Sequence, residues 1–235
     1  MNNLPRHILI LPDGNRRWAK KKGKHFFEGH RAGAKAIEQI VRTAFGLKIP
    51  YLTVWGLSAT NVTRRPAVEV KALFRLFREF FQKLASSEHL HANKVKVNVI
   101  GQWQTLFPAS TRRQVELVLE KTKNYQSHYL TLLVGYSGIE EMIEAIGKVA
   151  KNSLKKPGFK ITPEVVKSNL WTKDLPPVDL VIRTGGEPHW SVGCMMWDIA
   201  ETQFAFSDTF WPDFTPEEFK AVLKRYSGTE RRLGR

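Results

Sequence analysis

The chain has 235 residues, 42% of them hydrophobic, enough for one domain with a complete core. Lys and Arg outnumber Asp and Glu by 37 to 22, leaving a net charge of +15 that suits a polyanionic ligand, a nucleic acid or an anionic membrane surface. The single cysteine, Cys194, excludes an internal disulfide and a cysteine-built zinc site, and strand-sized apolar runs exclude a signal peptide and a membrane-spanning helix, so the expectation is a cytoplasmic globular protein.

Apolar runs rich in β-branched residues alternate with segments of helical period. HILIL (7–11) reads as a buried strand and is followed by the loop PDGNRR. Ile37, Ile40, Val41, Ala44 and Phe45 then share one helical face, which Gly46 ends, and YLTVWGL (51–57) is the next strand. After Pro66 a helix carries Val70, Leu73, Phe74, Phe77, Phe80, Phe81 and Leu84 as a wide apolar stripe. Further strands are expected at 95–100, 129–136 and 179–184, with helices near 109–124, 138–151 and 163–170. Thr215, Pro216 and Glu218 form a capping-box start for a final helix before the basic tail SGTERRLGR.

This order predicts an α/β fold, a single domain over residues 1–235 with a mainly parallel central sheet flanked by helices, since parallel neighbours need helical crossovers. Ligands of open α/β sheets sit beyond the carboxyl ends of the strands. The polar segments there are PDGNRR, SATNVTRR and GGEPHWS.

In the first, Asp13 leaves a strand, Gly14 permits a tight turn, and Arg16 and Arg17 open a helix whose free amides suit a phosphate. A lone carboxylate among arginines also suits magnesium shared with a diphosphate. The plainer reading makes Asp13 an N-cap over a solvated basic helix. In the third, Arg183, two glycines, Glu187, His189 and Ser191 offer a second phosphate site or a glycine turn in which Arg183 pairs with Glu187. Ser58, Asn61, Arg64 and Arg65 in the second form a ligand wall or a polar turn. The phenylalanine stripe is core by default, or the wall of a hydrocarbon tunnel.

HILILPDGNRRWAKKKG, EGHRAGAKAIEQIV, YLTVWGLSATN, DLVIRTGGE, FSDTFWPDF and the closing RRLGR, in this order, resemble the conserved blocks of the cis-prenyltransferase family, which includes undecaprenyl diphosphate synthase. The resemblance implies a homodimer with a hydrophobic tunnel beside a parallel sheet, and Mg2+-dependent condensation of isopentenyl diphosphate with an allylic diphosphate to give a Z-prenyl diphosphate. It implies that Asp13 holds the metal, that Gly14, Asn15, Arg16, Arg17 and Trp18 cradle the allylic diphosphate with His30 and Arg65 beside them, and that Asn15, Ser58 and Asn61 surround the reacting centre. Arg183, His189 and Ser191 would hold isopentenyl diphosphate, and Arg232, Leu233 and Gly234 would reach the partner subunit's site.

Four departures from the family pattern lie near these ligands. Phe26 stands where an arginine is usual, and Thr60 and Val62 flank Asn61 in place of glutamate and tryptophan. His189 replaces the second arginine of the isopentenyl site, beside an unusual Trp190. Gln203 occupies the position of a glutamate that helps hold magnesium, and a neutral amide is the weaker ligand. Two alternatives to regular chain growth therefore stand: irregular head-to-middle coupling of allylic diphosphates on the same scaffold, and a non-catalytic partner subunit of a prenyltransferase complex. Retention of Asp13 speaks against the second. No nucleic-acid motif is present, and the positive surface also suits an anionic bilayer from which a long product departs. Gly56 marks a tunnel-wall position.

Overall fold

His7–Leu11 forms strand β1, in which successive side chains point to opposite faces of a sheet, and both faces are filled: Ile8 and Ile10 on one side, Leu9 and Leu11 on the other, all buried. The computed structural model describes residues 3–229, the side chains of Asn61, Thr63 and Arg64 excepted. Helices α1 (Asn15–Lys21) and α2 (Phe26–Gly46) lead to β2 (Tyr51–Leu57). The short α3 (Ala59–Arg64) and long α4 (Ala67–Ala85) follow, then α5 (Glu88–Ala92), β3 (Val95–Ile100), α6 (Trp103–Leu106), α7 (Ala109–Thr122) and β4 (His128–Val134). α8 (Gly138–Lys155), α9 (Pro163–Asn169), β5 (Leu180–Arg183), β6 (Gln203–Phe206) and α10 (Pro216–Gly228) complete the order.

The sheet has six strands in the order β3-β4-β2-β1-β5-β6, and every pairing is parallel. The strands expected from sequence form within a residue or two of their expected limits, as do the longer helices except α8, which runs four residues past its expected end at 151. β6 was not expected: it has four residues and leaves Phe204 and Phe206 exposed, so it lacks the apolar run that marks a buried strand. SATNVTRR, read as a loop, contains α3.

Two apolar layers cover the sheet. α2, α4, α7 and α10 pack on the face of Ile8, Ile10, Val54 and Leu132, and Tyr136, Leu175, Cys194 and Met195 pack on the face of Leu9, Leu11, Leu133 and Val181. Cys194 is a core residue whose thiol pKa is raised by burial. Thr215 caps α10 by accepting from the Glu218 amide at 3.2 Å, but the Glu218 carboxylate accepts from the Ser207 hydroxyl, so the capping box is half formed.

The chain leaves β1 in one direction to β2 and returns on its other side as β5. That reversal opens a crevice at the carboxyl ends of β1 and β5, where Leu11 pairs with Arg183.

Candidate functional site

Asp13 emerges directly above that crevice and is held by its backbone. The buried Thr184 hydroxyl accepts from the Asp13 amide and donates to its carbonyl, each at 3.0 Å, and the Trp211 amide donates to the same carbonyl at 2.9 Å. Gly14 lies at φ 101°, and a Cβ there would stand 2.6 Å from the Phe210 ring, so no larger residue makes this turn. Asp13 is not the N-cap of α1: its Oδ1 accepts from the Gly14 amide at 2.6 Å, and Gly14 itself occupies the cap position.

The Arg183 guanidinium spans the two outer loops. One amino nitrogen lies 2.8 Å from Asp13 Oδ2 and the other donates to Ser191 Oγ at 2.6 Å, while the side chain is only 5% exposed. Glu187 stands farther away at 3.7 Å, so the expected Arg183–Glu187 pair exists but is secondary to Asp13. Glu187 pairs more closely with Arg17, at 2.9 Å. Ser191 also meets His189 Nε2 at 3.2 Å.

A second cluster forms on the α2 and α4 side. Arg65 Nη1 lies 3.0 Å from Glu69 Oε1, with His30 Nε2 and Arg16 Nε each 3.9 Å from the same oxygen. His30 is driven to a pKa of about 4 by burial and then by the neighbouring Arg65 and Arg16, so it is neutral at pH 7. Burial likewise lowers the Arg65 pKa. Glu69, 5% exposed, was not singled out in the sequence; the signal was its i,i+4 spacing from Arg65.

Both clusters open into one cavity of about 850 Å3. Its polar end is lined by Asp13, Gly14, Asn15, Arg16, Arg17, His30, Ser58, Arg65, Arg183 and Ser191, so the structure brings these expected residues together. Lys20, Lys24 and Thr60, none of them singled out beforehand as ligands, line it too; Thr60 is 3.0 Å from Ser58, hydroxyl to hydroxyl. Six cationic side chains (Arg16, Arg17, Lys20, Lys24, Arg65, Arg183) face two acids in the lining, Asp13 and Glu187. The other end is apolar: Ala34, Ile37, Leu73, Leu76, Phe77 and Phe80 project from α2 and α4, with Val54, Gly56 and Leu132 from the sheet. The phenylalanine stripe is thus divided, Phe77 and Phe80 facing the cavity while Phe81 is fully buried core. Gly56 sits where the β2–β4 register shifts, and a Cβ there would approach Phe77 to 3.3 Å.

Trp18 is a correction. Arg16, Arg17, Lys20 and Lys24 face the cavity at helical spacing, and position 18 turns away; its indole is buried under Lys22 and Lys24, whose ammonium groups stand 5.0 and 5.6 Å over the ring. Gln203 is a second. It pairs with Leu180, three residues before Arg183 on β5, about 10 Å toward the opposite end of the sheet. It does not line the cavity that Asp13 lines. His189 touches Ser191 but does not line the cavity. The Asn61 side chain, Arg232 and Gly234 lie outside the described residues.

As to metal, no group of three or more His, Cys, Asp and Glu side chains that could hold an ion occurs among the described residues. One carboxylate beside an anion-binding surface fits a magnesium ion that takes its remaining ligands from a bound diphosphate and water. Also among the described residues, no helix is long and apolar enough to cross a membrane.

A family model described as putative undecaprenyl diphosphate synthase matches residues 11–234. Relatives from Pyrococcus abyssi and Thermoplasma acidophilum, both named tritrans,polycis-undecaprenyl-diphosphate synthase (geranylgeranyl-diphosphate specific), are 35% identical over 99% and 98% of this chain and 88% and 89% of their own. Among solved structures, lavandulyl diphosphate synthase from Lavandula x intermedia in complex with dimethylallyl diphosphate superposes with a TM-score of 0.90 at 27% identity, covering 99% of both chains. A probable undecaprenyl diphosphate synthase from Campylobacter jejuni has a TM-score of 0.79 at 25% identity, covering 100% of both.

Proposed function

The chain belongs to the undecaprenyl diphosphate synthase family of cis-prenyltransferases, and from that premise we propose how its cavity works: it condenses isopentenyl diphosphate with an allylic diphosphate and stores the growing Z-prenyl chain between α2 and α4. The observation that carries this reading is the polarity of the cavity of about 850 Å3, cationic at the sheet's carboxyl edge and apolar beyond it. That is the shape of an amphiphile with a diphosphate head and a hydrocarbon tail. The primer the relatives' names indicate is geranylgeranyl diphosphate.

In this reading the allylic diphosphate lies against Asn15, Arg16, Arg17, His30 and Arg65, with Lys20 and Lys24 at the mouth. Isopentenyl diphosphate lies against Arg183 and Ser191, oriented by His189. Family members depend on magnesium in general; Asp13 is the residue that would hold it, and when bound the ion stabilises negative charge on the departing diphosphate. The arginines supply the same stabilisation from fixed positions in a partly dry site. The apolar walls exclude water from the allylic cation, and Asn15 and Ser58 border the place where the condensed product loses its proton.

The enzyme acts as a homodimer. Ile139, Ile143 and Ile146 form an exposed apolar row on α8, and the edge strand β6 exposes the stacked pair Phe204 and Phe206. Large apolar side chains left open in this way mark an association surface. The basic surface favours association with an anionic bilayer from the cytoplasmic side.

The test is incubation with magnesium, labelled isopentenyl diphosphate and primers from dimethylallyl to geranylgeranyl diphosphate, with mass analysis and an Asp13→Ala control. A product series rising in five-carbon steps, absent from the control, is expected. The 0.90 TM-score to lavandulyl diphosphate synthase favours a second reading, irregular coupling, in which dimethylallyl diphosphate alone gives a branched ten-carbon product. No product from any primer would instead point to a non-catalytic partner subunit.

A further inference from the structure

Below the apolar end of the large cavity lies another of about 450 Å3, between the same two helices. The helices run past both in the same sense. α2 contributes His30, Ala34 and Ile37 to the first and Ile37, Val41 and Arg42 to the second, while α4 contributes Leu73, Leu76, Phe77 and Phe80 to the first and Phe80, Lys83 and Leu84 to the second. Ile37 and Phe80 line both cavities and are therefore the wall between them. Leu73 and Phe80 are two helical turns apart, so the upper chamber descends about 10 Å along α4 before reaching this wall. Beneath it Val41, Leu84 and Leu90 give an apolar strip, while Arg42, the residues from Ser86 to His89, and Lys83 and Glu38, which pair across the two helices at 3.6 Å, make the rest of the lining polar.

We propose that Phe80, closed against Ile37, is the residue that ends chain growth, and that the lower cavity is the space a longer chain enters when Phe80 is removed. The proposal rests on the prenyl-chain reading above. Replacing the ring by a methyl group opens the wall from the α4 side, joins the chambers and adds about half again to the space available. Ile37 alone, on the facing helix, cannot close the gap left by an aromatic ring. The tail of a growing product then continues along the line it already follows instead of meeting a floor.

The experiment compares wild type, Phe80→Ala and Phe80→Ala/Val41→Trp, the last placing an indole in the lower chamber. With isopentenyl diphosphate, magnesium and whichever primer the wild type accepts, the longest product of Phe80→Ala is expected to exceed that of wild type by at least one five-carbon unit, and the double variant to return toward the wild-type length. An unchanged product series in Phe80→Ala, or lengthening that Val41→Trp fails to reverse, overturns the proposal. Phe80→Leu, which opens the wall less, should lengthen the product less and serves if the alanine variant does not fold. A measurement without turnover separates this idea from the proposed activity: affinities of n-alkyl phosphates of increasing length. Each methylene that finds apolar space should tighten binding about fourfold. The series should level off at a longer alkyl chain in Phe80→Ala than in wild type, even if neither elongates a prenyl chain; levelling at the same length refutes the wall.

Discussion

His30 gives the sharpest test of the site's electrostatics. Its ring is buried among Arg65 and Arg16, its Nε2 has no hydrogen-bond partner among the described residues, and the one acid nearby, Glu69, is 3.9 Å away. Its pKa therefore falls from 6.5 to about 4 on folding. Between those values the unfolded chain holds a proton that the folded chain refuses, so stability falls as pH falls through this window. The full difference is worth ~3 kcal/mol; ~1 kcal/mol of it is lost between pH 7 and pH 5.5, and ~2.5 kcal/mol by pH 4.5. Urea titrations of wild type and His30→Gln across this range isolate the effect, because other titrating groups, among them His7, also lowered to about 4, cancel in the difference. The two proteins should converge in stability as the solution is acidified, and the His30 ring proton observed by NMR should titrate near 4. Inorganic diphosphate should move that midpoint upward by offsetting Arg65 and Arg16. A stability difference that stays constant with pH, or a free-protein midpoint near 6.5, would refute the reasoning.

Arg183→Lys retains the charge but a single ammonium cannot bridge Asp13 and Ser191 as the fork does at 2.8 and 2.6 Å; KM for isopentenyl diphosphate should rise at least tenfold, with a smaller change for the allylic primer, in steady-state assays. Glu69→Gln leaves Arg65 without the carboxylate 3.0 Å away. Because Arg65 keeps some solvent contact, the expected loss is about 2 kcal/mol rather than the full cost of breaking a buried pair, measured by urea denaturation. Gly185→Ala places a methyl group 2.8 Å from Arg17 Nη2 and 3.1 Å from the Asp13 carbonyl at φ 93°; a stability loss of about 2 kcal/mol should accompany a larger fall in kcat, since the displaced groups are those of the site.

Much of this architecture is written in local pattern. HILIL and YLTVWGL are runs of strand-forming residues bounded by turn signals, and they form β1 and β2 at their expected limits because burial on both faces demands continuous apolar sequence. The three polar loops after strands were legible as the ligand edge, since parallel connections place strand ends together. β6 was not legible because a short edge strand needs no apolar face of its own. Trp18 and Gln203 followed a family pattern; their geometry was decided by the rotation of α1 and by the register of β5 on β6. Asp13 and Arg183 are 170 positions apart, and only the pairing of Leu11 with Arg183 sets their separation at 2.8 Å.

The apolar stripe of α4 shows the division most clearly. Helical period determines which residues point inward, and the sequence by itself therefore placed Leu73, Phe77, Phe80 and Phe81 on one face. Whether an inward side chain meets a tight neighbour or an open cavity depends on how closely the opposing elements approach, which no local pattern encodes. Phe81 meets packed core, while Phe77 and Phe80 face an open chamber, because α2 and α4 leave a space between them on that side of α4. That spacing is a property of the assembled layers, and with it the tertiary structure alone decided where the cavity opens.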